Sequence, residues 1–272
     1  MTYKITSRQQ AILDELKAFH FDECPSINWK SKIMEPFPWD SVGPNEQTWI
    51  QKDKKFESNF FSQIVVINSV INNYFRLNKY KSRKRDTLLY QQWKENYPFA
   101  KTVVEGHEGA WREVVKKHAS FHQNGDIAQA YGLYVFDSRT VECDVFLHTI
   151  EKIIPSKIEK TTKRGKIRFH DMPKTKRYDL YQYYVYSSLN KIINDLFAVL
   201  PCERVFINGL IDSHENHQPV LSCVVERKEH KQKRCPKRTL EKHRNMVTFK
   251  KRSGFYPLNS VYSPEILLKE KE

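Results

Sequence analysis

The stretch RYDLYQYYVYSSLNKIINDLFAVLP, Arg177 to Pro201, constrains this fold more than any other part of the chain. Tyr181, Val185, Leu189, Ile192, Leu196 and Leu200 recur at helical spacing and make one apolar stripe, which Pro201 stops. Two apolar segments follow, ERVFINGLID and PVLSCVVERK, separated by the polar turn SHENHQ. They read as an antiparallel hairpin, so the C-terminal part is a helix followed by paired strands.

Upstream the signals are mainly helical. ITSRQQAILDELKAFHF reads as a helix, with Ser7 and Gln10 spaced as a capping box. Phe56 to Leu77 reads as a buried helix with Phe60, Ile64, Ile67, Ile71 and Phe75 on one stripe. A basic turn is expected next, then short helices over Thr87–Pro98 and Trp111–Gln123. On the latter, His118 and His122 share a face and read as surface histidines. LYVFD and TVECDVF flank Ser138-Arg139 as a hairpin, and Glu142 and Asp144 on one strand face read as solvated. The expected organisation is a mainly helical region with one hairpin over 1–155 and a basic linker over 156–177. An α/β region over 178–252 and a tail over 253–272 complete it. The fold class is therefore α+β.

Charge sets the function class. The 46 Lys and Arg outnumber the 32 Asp and Glu, giving a net charge of +14. The excess is clustered. Arg227 to Arg252 carries twelve Lys or Arg against two Glu, and RLNKYKSRKR and KTTKRGKIRFHDMPKTKR are two further patches. Separated basic patches suit the phosphate backbone of DNA or RNA. The candidate contacts are Arg83, Lys84, Arg85, Arg164, Lys166, Lys233, Arg234, Lys237, Arg238, Lys250, Lys251 and Arg252. Aromatics interleave with cations near the end, among them Phe249, Phe255, Tyr256 and Tyr262, and such rings can stack on exposed bases.

Other classes are disfavoured. No apolar run is long enough to cross a membrane, so a soluble cytoplasmic protein is expected. Five scattered cysteines form no C-x-x-C pair and read as reduced packing thiols. Only eight glycines are present and none builds a phosphate loop, which argues against an NTPase or a dinucleotide enzyme.

One motif points to catalysis. Glu226 and Lys228 stand one residue apart at the end of VLSCVV. The order of helix, strand and E-x-K strand resembles that of PD-(D/E)xK nucleases, in which two carboxylates hold Mg²⁺ and a lysine stabilises developing charge. A turn centred near Glu215 and Asn216 would leave Asp212 about 20 Å from Glu226. The candidate catalytic set is therefore Glu203, Glu226 and Lys228, with Glu203 and Glu226 as Mg²⁺ ligands. The alternative is a strand end entering solvent. YVYSSLNKIINDLF, VFINGLID and PVLSCVVER, within Tyr178 to Lys228, resemble a domain that accompanies the catalytic domain of Mrr-type restriction endonucleases and related bacterial defence proteins. The resemblance implies work on DNA in phage defence. The two function readings are a divergent metal-dependent nuclease and a non-catalytic DNA- or RNA-binding subunit with a protein partner in a larger defence assembly. A third is a structural protein that acts through protein contacts.

Overall fold

The computed structural model describes residues 4–34, 41–57, 65–162, 165–212, 216–231 and 234–265. In chain order the elements are β1 (Lys4–Ile5), α1 (Ser7–Glu15), α2 (Trp29–Met34), α3 (Pro44–Glu57), α4 (Val65–Glu105) and α5 (Glu108–His118). Next come β2 (Ala130–Asp137), β3 (Thr140–Leu147), α6 (Ile150–Ile153), β4 (Lys157–Thr161), β5 (Ile167–Asp171) and α7 (Lys174–Val199). The last are β6 (Arg204–Asp212), β7 (His217–Glu226), α8 (Pro236–Leu240), β8 (Arg244–Val247), β9 (Phe249–Lys250) and β10 (Gly254–Phe255). The class is α+β. The chain divides into two compact units, one of residues 1–27 with 105–272 and one of residues 28–104.

The larger unit is built around α7. A five-stranded sheet has the order β2-β3-β6-β7-β8. All its neighbours run antiparallel except β3 and β6, which are parallel. A parallel pair needs a crossover, and α7 supplies it. All six residues of its apolar stripe are buried. Gly209 on β6 shows how close the helix comes, since an added Cβ would lie 3.2 Å from the Leu189 side chain.

The other flank of α7 is buried as well, and there the helix is polar. Ser187 Oγ lies 2.9 Å from the Nδ1 of His20, and the Asn190 amide donates to the Pro236 carbonyl at 2.9 Å. Lys191 is fully buried, with its ammonium 2.9 Å from carboxylate oxygens of both Asp22 and Asp195. Buried polar groups must be satisfied, and these bonds fix the N-terminal chain and α8 to the helix.

The smaller unit holds α2, α3 and α4. Asp86 on α4 caps α3, accepting from the amides of Asn45 at 3.2 Å and Glu46 at 2.9 Å. Gly43 is required beside this cap, because an added Cβ would lie 2.3 Å from Asp86 Cγ. Arg83 grips the Glu46 carboxylate through Nε at 3.1 and 3.0 Å, and Lys79 pairs with Asp53.

Several expectations change. The basic run after Leu77 is no turn: α4 passes through it and through Thr87–Pro98 without a break. The 156–177 linker is ordered as β4 and β5, which form a three-stranded sheet with β1. Helix α1 is capped one residue early, by the Thr6 hydroxyl accepting from Gln9 N at 3.4 Å. The face shared by His118 and His122 is lost because α5 ends at His118. Of the helix read over Phe56–Leu77, residues 58–64 lie outside the described residues.

A candidate nucleic-acid interface

The five-stranded sheet has two unlike faces. Val141, Cys143, Val145 and Leu147 alternate along β3 on the α7 side and are fully buried. The alternate residues Thr140, Glu142, Asp144 and Phe146 lie on the second face. In register beside them stand Arg204, Phe206 and Asn208 of β6, then Glu226, Val224 and Ser222 of β7, then Arg244 and Met246 of β8.

A buried amide organises the middle of this face. Asn208 donates to Glu142 at 3.0 Å and to Asp144 at 2.9 Å, and its carbonyl accepts from Ser222 Oγ at 2.7 Å. Burial raises the proton affinity of Glu142, the charge of Asp144 adds to this, and the Asn208 bond opposes it. The C-terminal segment lies along the face. Leu258 N donates to the Pro219 carbonyl at 2.7 Å and Tyr262 N to Ser222 Oγ at 2.8 Å.

At one end the face opens into a cavity of about 430 Å³. Phe136, Phe206 and Pro264 supply apolar surface, and Arg204 and Glu226 pair at 2.5 Å within it. Lys242, His243 and Arg244 add a basic side, and Asp137 and Glu229 add carboxylates. Burial lowers the His243 pKa below the usual histidine value, which favours a neutral ring at pH 7. The register of β2 slips between Val135 and Asp137, and at this bulge both Phe136 and Asp137 line the cavity. Two residues back, Tyr134 is directly opposite Glu142. Its ring lies over Gly132, where an added Cβ would come within 3.2 Å of it. Beside Tyr134 a second depression, of about 290 Å³, is lined by Tyr131, Arg112 and Lys116.

The nuclease candidates are not assembled in this way. Strand β7 ends at Glu226, and the amides of Glu229 and His230 close a turn on its carbonyl at 3.1 and 3.0 Å. Lys228 lies in that turn, so the strand alternation that would have aligned it with Glu226 does not apply. Arg227 is drawn back to the end of α7. Its guanidinium donates to the carbonyls of Cys202 at 2.6 Å, Phe197 at 2.7 Å and Leu200 at 2.7 Å. The Glu226 carboxylate is held by Arg204, and Glu203 reaches Arg139 at 3.8 Å. Asp212 pairs with His217, beside the turn. Eight strand positions separate Asp212 from the partner of Glu226, or about 26 Å. Among the described residues no three of His, Cys, Asp or Glu converge as metal ligands, and Glu203 with Glu226 does not fit a Mg²⁺ centre.

The basic candidates divide. Arg238, Lys250, Lys251, Arg252, Arg234 and Lys166 are exposed. Lys237 lies 3.7 Å from Glu241, and Lys250 lies over the Tyr256 ring at 4.9 Å. In the smaller unit Arg83 is committed to Glu46, Lys84 lies over the Tyr80 ring at 4.8 Å, and Arg85 is exposed. Arg164 and Lys233 lie outside the described residues. The sequence reading missed Phe136, Phe206, Arg204, Lys242 and Arg244 as a group. They come from three strands and one turn, and only the basic–aromatic interleaving gave a local signal.

No family model matches the chain, and neither a curated protein nor a solved structure matches it. Among the described residues no helix is long and apolar enough to cross a membrane.

Proposed function

We propose that this chain is a nucleic-acid-binding protein that holds its ligand without cutting it. The cavity carries the reading: the exposed Phe136 ring stands beside Lys242 and Arg244. Aromatic faces accept bases, and cations beside them neutralise phosphates and release counterions. The exposed Arg238, Lys250, Lys251 and Arg252 belong to the same unit. The net charge of +14 favours a polyanionic ligand over an acidic small molecule.

Cleavage has weaker support. A restriction-endonuclease-like fold rests on the order of helix and hairpin alone, and Glu203, Glu226 and Lys228 lack the convergence that Mg²⁺ chemistry requires. DNA in a cytoplasmic phage-defence assembly, with a protein partner, is what the Mrr-type resemblance adds. The test is fluorescence anisotropy with labelled DNA and RNA, comparing the native chain with Lys242→Ala/Arg244→Ala. Affinity should fall about tenfold or more, since each lost phosphate contact also weakens binding at low salt. Equal affinity for both proteins would remove the cavity from the account.

A further inference from the structure

We infer that the ligand is single-stranded, with adjacent unpaired bases taken by Tyr134 and Phe136; this rests on the nucleic-acid reading above. The two rings are exposed, at 51% and 47%. Among the described residues neither stacks on another ring. Large aromatic faces left to water on one strand edge are surface that a ligand can cover.

Spacing selects the ligand. Tyr134 and Phe136 are two positions apart on β2, about 6.6 Å between their backbone positions, and the Tyr134 ring leans away from Phe136 over Gly132. The rings thus stand further apart than the 3.4 Å that separates stacked nucleotides in a duplex strand. Adjacent bases at that separation have parted from one another, and each can take a protein ring. A duplex hides its base faces in its own stack and shows only base edges in its grooves. Unpaired bases offer the faces that these rings need.

Charge sets the orientation. Glu142 lies directly across from Tyr134, and Asp144 shares its face, so phosphates are repelled from the centre. Cations lie at the two ends, Lys116 beside Tyr134 and Lys242 with Arg244 in the cavity beside Phe136, where Asp137, Glu226 and Glu229 line the remaining wall. A strand laid along β2 thus presents its bases to the sheet and its phosphates to the rim. The cavity of about 430 Å³ is within the range of small-ligand sites, and takes one nucleotide beside Phe136.

The experiment measures affinity by fluorescence anisotropy for oligonucleotides of about 15 nucleotides, as single strands and as duplex. The proteins are the native chain, Tyr134→Ala, Phe136→Ala, Tyr134→Phe and Phe136→Leu, each checked for its native circular dichroism. Phe136→Leu keeps apolar volume and removes the aromatic face, and so guards against a folding failure in Phe136→Ala. Single-strand affinity should fall about tenfold in Tyr134→Ala, Phe136→Ala and Phe136→Leu. Tyr134→Phe should retain it, and duplex affinity should be weaker and unchanged by all four. Native binding to duplex in preference to single strands, or full single-strand affinity in Tyr134→Ala and Phe136→Leu, overturns this inference and leaves nucleic-acid binding standing. Absence of binding to either form overturns both.

Discussion

Replacing Lys191 by Met isolates the interaction that fixes α7 in its place. The Lys191 side chain is wholly buried, and its ammonium lies 2.9 Å from Asp195 Oδ1, 2.9 Å from Asp22 Oδ2 and 2.6 Å from Ser120 Oγ. Asp195 is equally buried, and its second oxygen accepts from Phe121 N at 2.7 Å and Ser120 Oγ at 3.0 Å. Methionine keeps most of the stem and removes the charge. Asp195 is then left with two hydrogen bonds and no counter-ion in the interior. Asp22 loses little, because it is largely exposed. Removing one partner of a buried pair costs about 3–5 kcal/mol. That is a large share of the roughly 5–15 kcal/mol that holds a domain folded. In a unit of this size the midpoint should fall by about 10 °C. The assay is thermal and urea unfolding followed by circular dichroism. In Lys191→Met/Asp195→Asn the amide still accepts from Phe121 N and carries no charge, so part of the loss should return. A double variant no more stable than the sum of the two single losses would show that the charges do not act as a pair. A loss below about 1 kcal/mol in Lys191→Met would refute the reasoning outright.

Asp86→Ala should cost about 1–2 kcal/mol by leaving the Asn45 and Glu46 amides uncapped, and Gly43→Ala should destabilise the same unit by driving a methyl group into Asp86; urea midpoints read both. Burial lowers the His230 pKa to about 4, and His243 and His20 are lowered as well. The unfolded chain therefore takes up protons near pH 6.5 that the folded chain refuses. Stability is complete above that pH and is lost as pH falls from about 6.5 to about 4, by roughly 3 kcal/mol for His230 alone. Unfolding midpoints in His230→Gln should show a shallower decline over that window. EDTA should leave nucleic-acid affinity unchanged, and plasmid incubated with Mg²⁺ should stay intact with the native chain and with Glu226→Gln alike; metal-dependent nicking that Glu226→Gln abolishes would restore the nuclease reading.

The strongest local patterns carried through to the fold. The α7 stripe is buried at every position, and β6 and β7 pair as expected, because periodicity alone specifies both. What failed depended on partners distant in the chain. The basic run Arg76–Arg85 contains no glycine or proline, so nothing in it stops a helix, and α4 continues through its charges. Strands β4 and β5 bury only Ile158 among their apolar residues, so they lack the alternation that marks a half-buried strand. Their sheet is completed by Lys4–Ile5, more than a hundred residues away. The parallel pairing of β3 with β6 joins a hairpin assigned to the N-terminal region to strands assigned to the C-terminal one. The cavity forms only when both are in place. Arg227, counted as a cation of the basic tail, is committed to three carbonyls at the end of α7, which no local pattern announces.

The salt dependence of affinity for a single-stranded oligonucleotide tests the central claim most directly. A single strand loses about 0.7 in the slope of log affinity against log salt for each phosphate neutralised. Contacts from Lys116, Lys242 and Arg244 give a slope of about −2, reduced by about 1 or more in Lys242→Ala/Arg244→Ala. A flat dependence, or the same slope in both proteins, would contradict a phosphate-binding role for this face.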